Sequence, residues 1–375
     1  MTNNNDKKVL NVPALRFPEF TEEWKSVHLE DVAEFQKKRI SSDLLNNNNY
    51  ISTENILQNF EGIQYSSSIP ANTNVIEYQK GDILLSNIRP YLKKVWFSDR
   101  KGGCSADVFV LRGDKCDQHF LYYVIASDRF INYVMSGVKG VKMPRGDKSQ
   151  MEKYAFSIPT NTEQRKIAKF LSMLDERIKL QNKIIEDLKK LKSAIYQEIF
   201  GSLVAQTLEL GQVAEIIKGK QVNGTELLEQ GEYYVMNGGT TPSGWLNRYN
   251  TEANTISISE GGNSCGYVQY NTSRYWSGGH CYSLRILHPQ ETLDLYLYHF
   301  LKWQEDNIMA LRIGSGLPNI QKKDLLRFPV ILPVINKQKS IISILSVIDA
   351  KMACDILLTE HYVIQKKYLL RKLFI

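Results

Sequence analysis

Four basic residues are spaced among glycines in the stretch SGVKGVKMPRGDKSQ, which covers residues 136–150. They are Lys139, Lys142, Arg145 and Lys148. Lysine and arginine neutralise phosphates, and glycine lets a backbone come close to a ligand. The pattern therefore predicts a loop that contacts a DNA backbone. The alternative is a charged loop that is only solvated.

Three further groups offer the same kind of chemistry in less concentrated form. Basic and aromatic side chains that lie together can hold a nucleic-acid backbone and touch base edges. The alternative for each aromatic group is a packed ring with a cation lying along it. The groups are Arg89, Lys93 and Lys94 beside Trp96, Trp245 and Arg248 beside Tyr249, and Asn319, Lys322 and Lys323 in GSGLPNIQKKD (314–324).

The sequence carries no signature of catalysis. It contains no G-x-x-x-x-G-K-[ST] loop for ATP, and it lacks the Asn/Asp-Pro-Pro-aromatic tetrapeptide of adenine methyltransferases. His280 and Cys281 suggest a cysteine nucleophile, but neighbours on a strand point to opposite faces. The 5 cysteines include no C-x-x-C pair, so neither disulfides nor a zinc site are indicated. We predict no catalytic residue, no metal and no cofactor in this chain, which argues against a stand-alone nuclease.

Composition narrows the class of partner and the compartment. The formal net charge of +7 favours a polyanionic partner. No run of 18 apolar residues is present, and the first residues, MTNNNDKKVL, are polar where a signal peptide would be apolar. A cytoplasmic protein without a membrane partner is expected.

One long segment of the chain occurs twice with a similar sequence. PTNTEQRKIAKFLSMLDERIKLQNK begins at residue 159 and PVINKQKSIISILSVIDAKMACDIL at residue 333, a shift of 174 that needs no gap up to Phe200 and Phe374. The same shift superposes Gly140, Pro144 and Lys148 on Gly314, Pro318 and Lys322. We interpret the whole chain as two copies of one unit.

Each copy of the segment predicts a long helix with a heptad seam, which in the first copy runs from about Thr162 to Phe200. Polar residues interrupt both seams at equivalent places, Gln181 with Asp355 and Lys192 with Lys366, where they are expected to fix register. A surface helix on its own domain is the alternative, but two matched seams favour pairing of the helices with each other. The apolar seam positions are Ile167, Leu171, Leu174, Ile178, Ile185, Leu188, Ile341, Leu345, Ile348 and Met352.

The remainder of each copy predicts short strands, then apolar helices. Alternating apolar residues mark strands such as GDILLS (81–86) and NTISIS (254–259), and continuous helices are predicted over 118–135 and 293–312. The fold class is α+β: two tandem mixed domains with short strands, joined by long helices that pair as an antiparallel coiled coil, with a pseudo-twofold internal repeat. The predicted division is a tail (1–23), a first domain (24–158), a central helix (159–206), a second domain (207–332) and a last helix (333–375).

Several of these motifs together resemble a known family. LRFPEFTEEWKSVHLEDVAEF (15–35), GDILLS, the G-x-x-x-P turns and IPTNTEQRKIAKFLSMLDERI (158–178) are similar to the specificity subunit of Type I restriction-modification systems. The resemblance covers essentially the whole chain. It implies two target recognition domains, each reading one half of a bipartite double-stranded DNA sequence.

The resemblance also implies partners. These are two methylation subunits that bind S-adenosylmethionine and, in the full complex, two restriction subunits that use ATP and Mg. The chain itself would then be non-catalytic and would supply only the choice of sequence. The second hypothesis is a DNA-binding regulatory or structural protein that acts without enzyme partners.

Overall fold

A computed structural model describes residues 11–65, 68–138, 143–314 and 316–375. The chain divides into two compact units. Unit 1 comprises the described residues up to Leu180 together with Thr359–Ile375, and unit 2 is Gln181–Leu358. Within the described ranges, no helix is both long enough and apolar enough to cross a bilayer.

Unit 1 contains short strands, short helices and the first half of a long helix. In chain order the elements are β1 (Lys25–His28), α1 (Leu29–Val32), β2 (Ala33–Phe35), β3 (Arg39–Ser41), β4 (Tyr50–Ile51), β5 (Asn74–Tyr78), β6 (Ile83–Ser86), β7 (Val95–Phe97), β8 (Gly102–Cys104), β9 (Val108–Gly113), α2 (Gln118–Ile125), α3 (Asp128–Ser136), α4 (Lys148–Glu152), β10 (Ala155–Ile158) and α5 (Asn161–Gly201).

The strands of unit 1 form two four-stranded sheets and one strand pair, with orders β2-β9-β6-β7, β3-β5-β8-β4 and β1-β10. The strand predicted from GDILLS is β6, and its residues are all buried because it lies between β9 and β7. Its register sets Leu84 opposite Val110. The apolar core of the unit lies between this sheet, α2 and the start of α5, where Phe120, Ile167 and Leu171 are buried in one cluster.

Among the described residues, the elements of unit 2 repeat the order of unit 1 with one strand fewer. They are β11 (Gln206–Glu209), α6 (Leu210–Val213), β12 (Ala214–Lys218), β13 (Tyr233–Met236), β14 (Trp245–Leu246), β15 (Thr255–Ser259), β16 (Val268–Asn271), β17 (Trp276–Ser277), β18 (Cys281–Ile286), α7 (Asp294–Trp303), α8 (Glu305–Met309), α9 (Lys322–Leu326), β19 (Pro329–Leu332) and α10 (Ile335–Lys372), whose last part belongs to unit 1. Two strands lie between β12 and β15, where unit 1 has three between β2 and β6.

The sheets of unit 2 match those of unit 1 in two cases out of three. The order β12-β18-β15-β16 corresponds to β2-β9-β6-β7, and the pair β11-β19 corresponds to β1-β10. The third sheet differs, because it has three strands in the order β14-β13-β17. The sheets β2-β9-β6-β7 and β12-β18-β15-β16 are therefore common to both units, whereas the sheets β3-β5-β8-β4 and β14-β13-β17 differ between them.

The two apolar helices predicted as continuous are each broken. The stretch 118–135 divides at Ser127, whose hydroxyl accepts a hydrogen bond from the Phe130 N–H at 3.2 Å and so begins α3. The stretch 293–312 divides at Gln304, between α7 and α8. The long helices agree with the prediction more closely, since α5 covers Asn161–Gly201 where 162–200 was expected.

Candidate nucleic-acid interface

In unit 1, two loops are held together by backbone hydrogen bonds. The Arg89 N–H donates to the Pro144 carbonyl at 2.8 Å, and the Gly146 N–H donates to the Asn87 carbonyl at 2.9 Å. We call residues 87–93 and 143–147 the first loop pair. It joins the turn after β6 to part of the lysine- and glycine-rich stretch that the sequence singled out.

Unit 2 builds the same arrangement from equivalent positions. The Gly262 N–H donates to the Pro318 carbonyl at 3.0 Å, and the Ile320 N–H donates to the Glu260 carbonyl at 2.8 Å. We call residues 260–266 and 316–321 the second loop pair. Because Pro144 and Pro318 are related by the same shift of 174 as the long helices, the repeat extends to the backbone of these loops.

The first loop pair carries three of the seven basic candidates of unit 1, namely Arg89, Lys93 and Arg145. Arg145 is exposed and its Nη1 lies 3.0 Å from Asp107 Oδ1. The Lys148 ammonium lies 3.5 Å from Glu152, and the Lys93 ammonium lies 2.7 Å from Asp128. Arg89 is exposed as well. Lys139 and Lys142 lie outside the described residues.

Lys94 differs from its neighbours. Its ammonium is half-buried and donates to the Thr53 carbonyl at 2.6 Å, and burial lowers the pKa of Lys94. The adjacent Trp96 is buried in a core cluster, edge-on to Tyr78. In this structure the Lys94 side chain therefore ties the loop to the domain.

The candidates of unit 2 fall into two places. Asn319 and Lys322 lie on or beside the second loop pair, where Asn319 is exposed and its backbone bridges to Gly261. Trp245 lies on β14 and packs edge-on against Tyr234. Arg248 follows it, with Nη2 2.5 Å from Glu226 and its guanidinium 5.1 Å from the centre of the Trp276 ring.

The predicted seam residues line the inner faces of the long helices. In unit 1, Ile167 and Leu171 are buried, and Leu174 and Ile178 are half-buried. In unit 2 the buried positions are Ile185, Ile341 and Leu345, and the half-buried ones are Leu188, Ile348 and Met352. The two polar interruptions Gln181 and Asp355 are also buried.

The two lysines that interrupt the seams each meet an aspartate on the other helix. In unit 1 the Lys366 ammonium lies 2.5 Å from Asp175, which also accepts a hydrogen bond from the Tyr123 hydroxyl at 2.8 Å. In unit 2 the equivalent Lys192 pairs with the equivalent Asp349. Within each unit α5 and α10 are thus antiparallel, held by the same charge pair.

A buried glutamine docks each long helix onto its own domain. Gln164 accepts a hydrogen bond from the Asp117 N–H at 2.8 Å, just before α2 begins. Its counterpart Gln338 accepts from the Leu293 N–H at 2.9 Å, just before α7. Both glutamines are at most 2% exposed, so the shared glutamine of the repeated segment has one structural role performed twice.

Comparison with known proteins decides the family. The sequence profile described as the Type I restriction modification DNA specificity domain matches residues 21–190 and again 205–356. The chain belongs to this family. The specificity-subunit class, the α+β fold of two domains with long helices and the non-catalytic class predicted from the sequence are thereby confirmed.

Individual relatives of this family agree in sequence and in fold. A type I specificity subunit of Mycoplasma pneumoniae is 38% identical over 144 residues, which are 38% of either chain and so less than two thirds of that relative. The crystal structure of a Type I restriction-modification S subunit from M. genitalium superposes with a TM-score of 0.70 at 20% identity, covering 97% of this chain and 99% of that one. A structure from work on complex assembly of a type I system superposes at 0.55 and 19% identity, covering 93% and 97%.

Some exposed residues of this specificity-family chain escaped sequence reasoning. Arg274 stacks its guanidinium 4.7 Å from the centre of the Tyr249 ring, and Tyr249 packs against Tyr233 at 5.0 Å. Together with Arg248 and Trp276 they form a surface group of cations on aromatic rings. The tetrapeptide SRYW at 273–276 carried the same mixture of types that singled out Trp245 and Arg248, so the signal was present.

The cysteine-nucleophile alternative has no support in the geometry. Cys281 is buried and burial raises its pKa to about 11, whereas His280 is exposed before β18 begins. A thiol held protonated at neutral pH is a poor nucleophile. Among the described residues, no group of three His, Cys, Asp or Glu side chains is arranged to hold a metal ion.

Proposed function

We propose that this chain reads the two halves of a bipartite sequence in double-stranded DNA, one half with each unit, and directs methylation and restriction subunits to that site. The observation that carries the proposal is the repeated loop pair. The two units build the same backbone arrangement but present different side chains from it. A shared scaffold with different exposed residues is what two readers of different sequences require.

The charged residues on and beside the first loop pair suit a DNA backbone. Arg145, Lys93 and Lys148 are partly exposed, and each faces a carboxylate that is also partly exposed. Surface ion pairs of this kind contribute about 0–1 kcal/mol, so a phosphate can displace the carboxylate at little cost. We assign these three residues to phosphate contacts that position unit 1. Lys94 is left out of this set because its ammonium is engaged by Thr53.

In unit 2 the candidate contacts are Asn319 and Lys322 beside the second loop pair and Trp245 with Arg248 on the aromatic surface. An exposed asparagine can pair with the edge of adenine, and an arginine stacked on tryptophan can hold a phosphate. Lys139 and Lys142 complete the set in unit 1 on the strength of sequence alone. The recognition domains would be residues 24–158 and 207–332, with spacer helices at 159–206 and 333–375.

Two equivalent apolar patches support docking of two methylation subunits. Phe170 and Met173 are 40% and 59% exposed on α5, and Ile344 and Val347 are 51% and 69% exposed on α10. The pairs are related by the shift of 174, so each long helix exposes two apolar side chains at equivalent positions. Exposed apolar side chains repeated in this way fit two copies of one partner. S-adenosylmethionine, ATP and Mg would be bound by the partners, and this chain would act in the cytoplasm without a cofactor of its own.

A domain exchange tests the reading function. Residues 24–158 are replaced by those of another family member with a known target, and the hybrid is expressed with its methylation subunits. We expect genomic methylation mapping to show one half of the target changed and the other half kept. Both halves changed, or neither, would contradict one reader per unit. If this chain binds a specific DNA sequence but forms no complex with the methylation subunits, the stand-alone DNA-binding protein is favoured.

A further inference from the structure

Arg89 holds a backbone conformation that its side chain disfavours. Its φ is 50° and its ψ is 61°, in the left-handed region, immediately before the short 3₁₀ turn Pro90–Leu92. A β-carbon is crowded there, so residues other than glycine, asparagine and aspartate rarely adopt it. Backbone hydrogen bonds to Pro144 and from Leu92 hold Arg89 in place. Strain of this kind persists where the side chain serves a function.

Unit 2 meets the same backbone requirement with glycine. Gly262 takes the position equivalent to Arg89, because its N–H donates to Pro318 as that of Arg89 donates to Pro144. Its φ is 79°, also left-handed, and a β-carbon added to Gly262 would have no heavy atom within 4 Å. At this position both units therefore have a residue in the left-handed backbone conformation. Glycine meets the requirement without strain, and a side chain attached there extends into open space.

The Arg89 side chain has no hydrogen-bond or ion-pair partner in the described part of the domain. The residue is exposed. Its neighbours Lys93 and Arg145 both face carboxylates. A strained arginine with no partner among residues 11–65, 68–138, 143–314 and 316–375, at a site where glycine would fit the backbone better, is available for a contact outside the protein.

The setting of Arg89 favours a base rather than a phosphate. It lies on the first loop pair, bridged through Ile88 to Arg145, so the arginine that we assigned to a phosphate contact flanks it already. A guanidinium can donate two parallel hydrogen bonds to O6 and N7 of guanine in the major groove, which is the commonest specific contact of arginine. Tyr91, 49% exposed on the same turn, offers a ring beside it.

We propose that Arg89 reads a guanine in the half-site recognised by unit 1, and that unit 2 has no counterpart because Gly262 occupies the position. The inference rests on the proposed DNA-reading function and adds a base and a residue to it. It also states where the discrimination arises: the left-handed turn aims the side chain, and the arginine supplies the hydrogen bonds.

The test is selection of duplexes from a randomised pool by the full chain in complex with its methylation subunits. The wild type should select a bipartite sequence with a guanine in one half. Arg89→Gly should lose preference at that base pair alone, by about 10- to 100-fold, since one bidentate pair is lost. Arg89→Lys should keep part of the affinity and little of the preference. The melting temperature of Arg89→Gly should equal or exceed that of the wild type, because glycine relieves the strain.

Lys93→Gly is the matched control, since Lys93 is also left-handed, with a φ of 54°. It should weaken binding to all duplexes alike and leave the selected bases unchanged. A uniform loss with Arg89→Gly would make Arg89 a phosphate contact and overturn the inference, as would unchanged selection or a first half-site without guanine. A marked fall in melting temperature would overturn the strain argument. If the wild type selects no bipartite sequence, the proposed function itself fails.

Discussion

His299 is a buried titratable group beside the pair of long helices in unit 2. It is 1% exposed, its Nδ1 lies 3.0 Å from the Tyr196 hydroxyl, and its Nε2 lies 3.9 Å from Asp349. Burial and the nearby Lys192 ammonium lower the pKa of His299 from 6.5 to about 4, against the opposing pull of Asp349. The imidazole is therefore neutral in the folded chain at neutral pH.

That pKa makes the stability of unit 2 depend on pH in one direction. Below pH 6.5 the unfolded chain gains a proton at His299 that the folded chain refuses until about pH 4. As the pH falls from 6.5 to about 4, the free energy of unfolding should therefore decrease by about 3 kcal/mol. Above pH 6.5 this contribution of His299 to stability is fully present. Urea unfolding of the wild type and of His299→Gln at a series of pH values isolates the effect. The difference between the two proteins should shrink as the pH falls, and a constant difference would show that His299 titrates normally.

At the scale of single residues, the sequence predicts types better than roles. Lys192 and Lys366 were expected to fix helix register, and each is paired with an aspartate of the other helix. Arg89 and Lys94 lie in the same short basic segment, residues 89–94. In the structure their roles differ, because the Lys94 ammonium donates a hydrogen bond to the carbonyl of Thr53, 41 residues away in sequence. No local pattern carries that information.

At the scale of elements, periodicity over many residues was reliable and short patterns were not. The heptad repeat predicted α5 to within a residue at each end. The division of 118–135 at Ser127 was missed because VIAS continues the apolar pattern through the cap. Strands β3 and β8 were not predicted, since Arg39–Ser41 and Gly102–Cys104 are too short to show a pattern. They form strands through pairing, β3 with β5 and β8 with both β5 and β4.

The apolar patches on the long helices give an element-scale prediction about partners. A carboxylate placed on an exposed helix face should leave folding intact but would be buried unpaired under a docked subunit. We expect Met173→Asp and Val347→Asp each to weaken binding of one methylation subunit by at least about tenfold. Native mass spectrometry of the complex should then show one bound subunit instead of two, and none in the double variant. Lys179→Asp is the control and should retain two, because Lys179 is exposed on the same helix but lies about 120° around it from Met173. Two subunits retained by the double variant would place the docking surface elsewhere.

At the scale of the whole molecule, the repeat explains why so much could be read from one sequence. Equivalent residues recur in the loop pairs, in the lysine–aspartate pairs and in Gln164 and Gln338. The lysines, aspartates and glutamines, and Pro144 with Pro318 in the loop pairs, coincide under one shift of 174 in the sequence itself. What the repeat could not supply is where the units differ, such as the three-stranded sheet of unit 2 and the exposed side chains of each loop pair. Those differences are where specificity for two different half-sites would be encoded.

Because α5 and α10 each contribute to both units, their length should set the spacing between the two half-sites. Three heptads inserted after Leu180 and three more after Leu358 keep both seams in phase and add about 31 Å at ~1.5 Å per residue. One turn of DNA is about 34 Å, so the readers would again face the same side of the duplex. We expect methylation mapping to show unchanged half-sites with the spacer longer by about 9–10 bp, one turn of the duplex. A single heptad in each helix adds about 10 Å, roughly a third of a turn of DNA, and should weaken methylation because the half-sites fall out of phase. An unaltered spacer in the three-heptad variant would show that the helices do not set the distance, and altered half-sites would show that the readers depend on the helices.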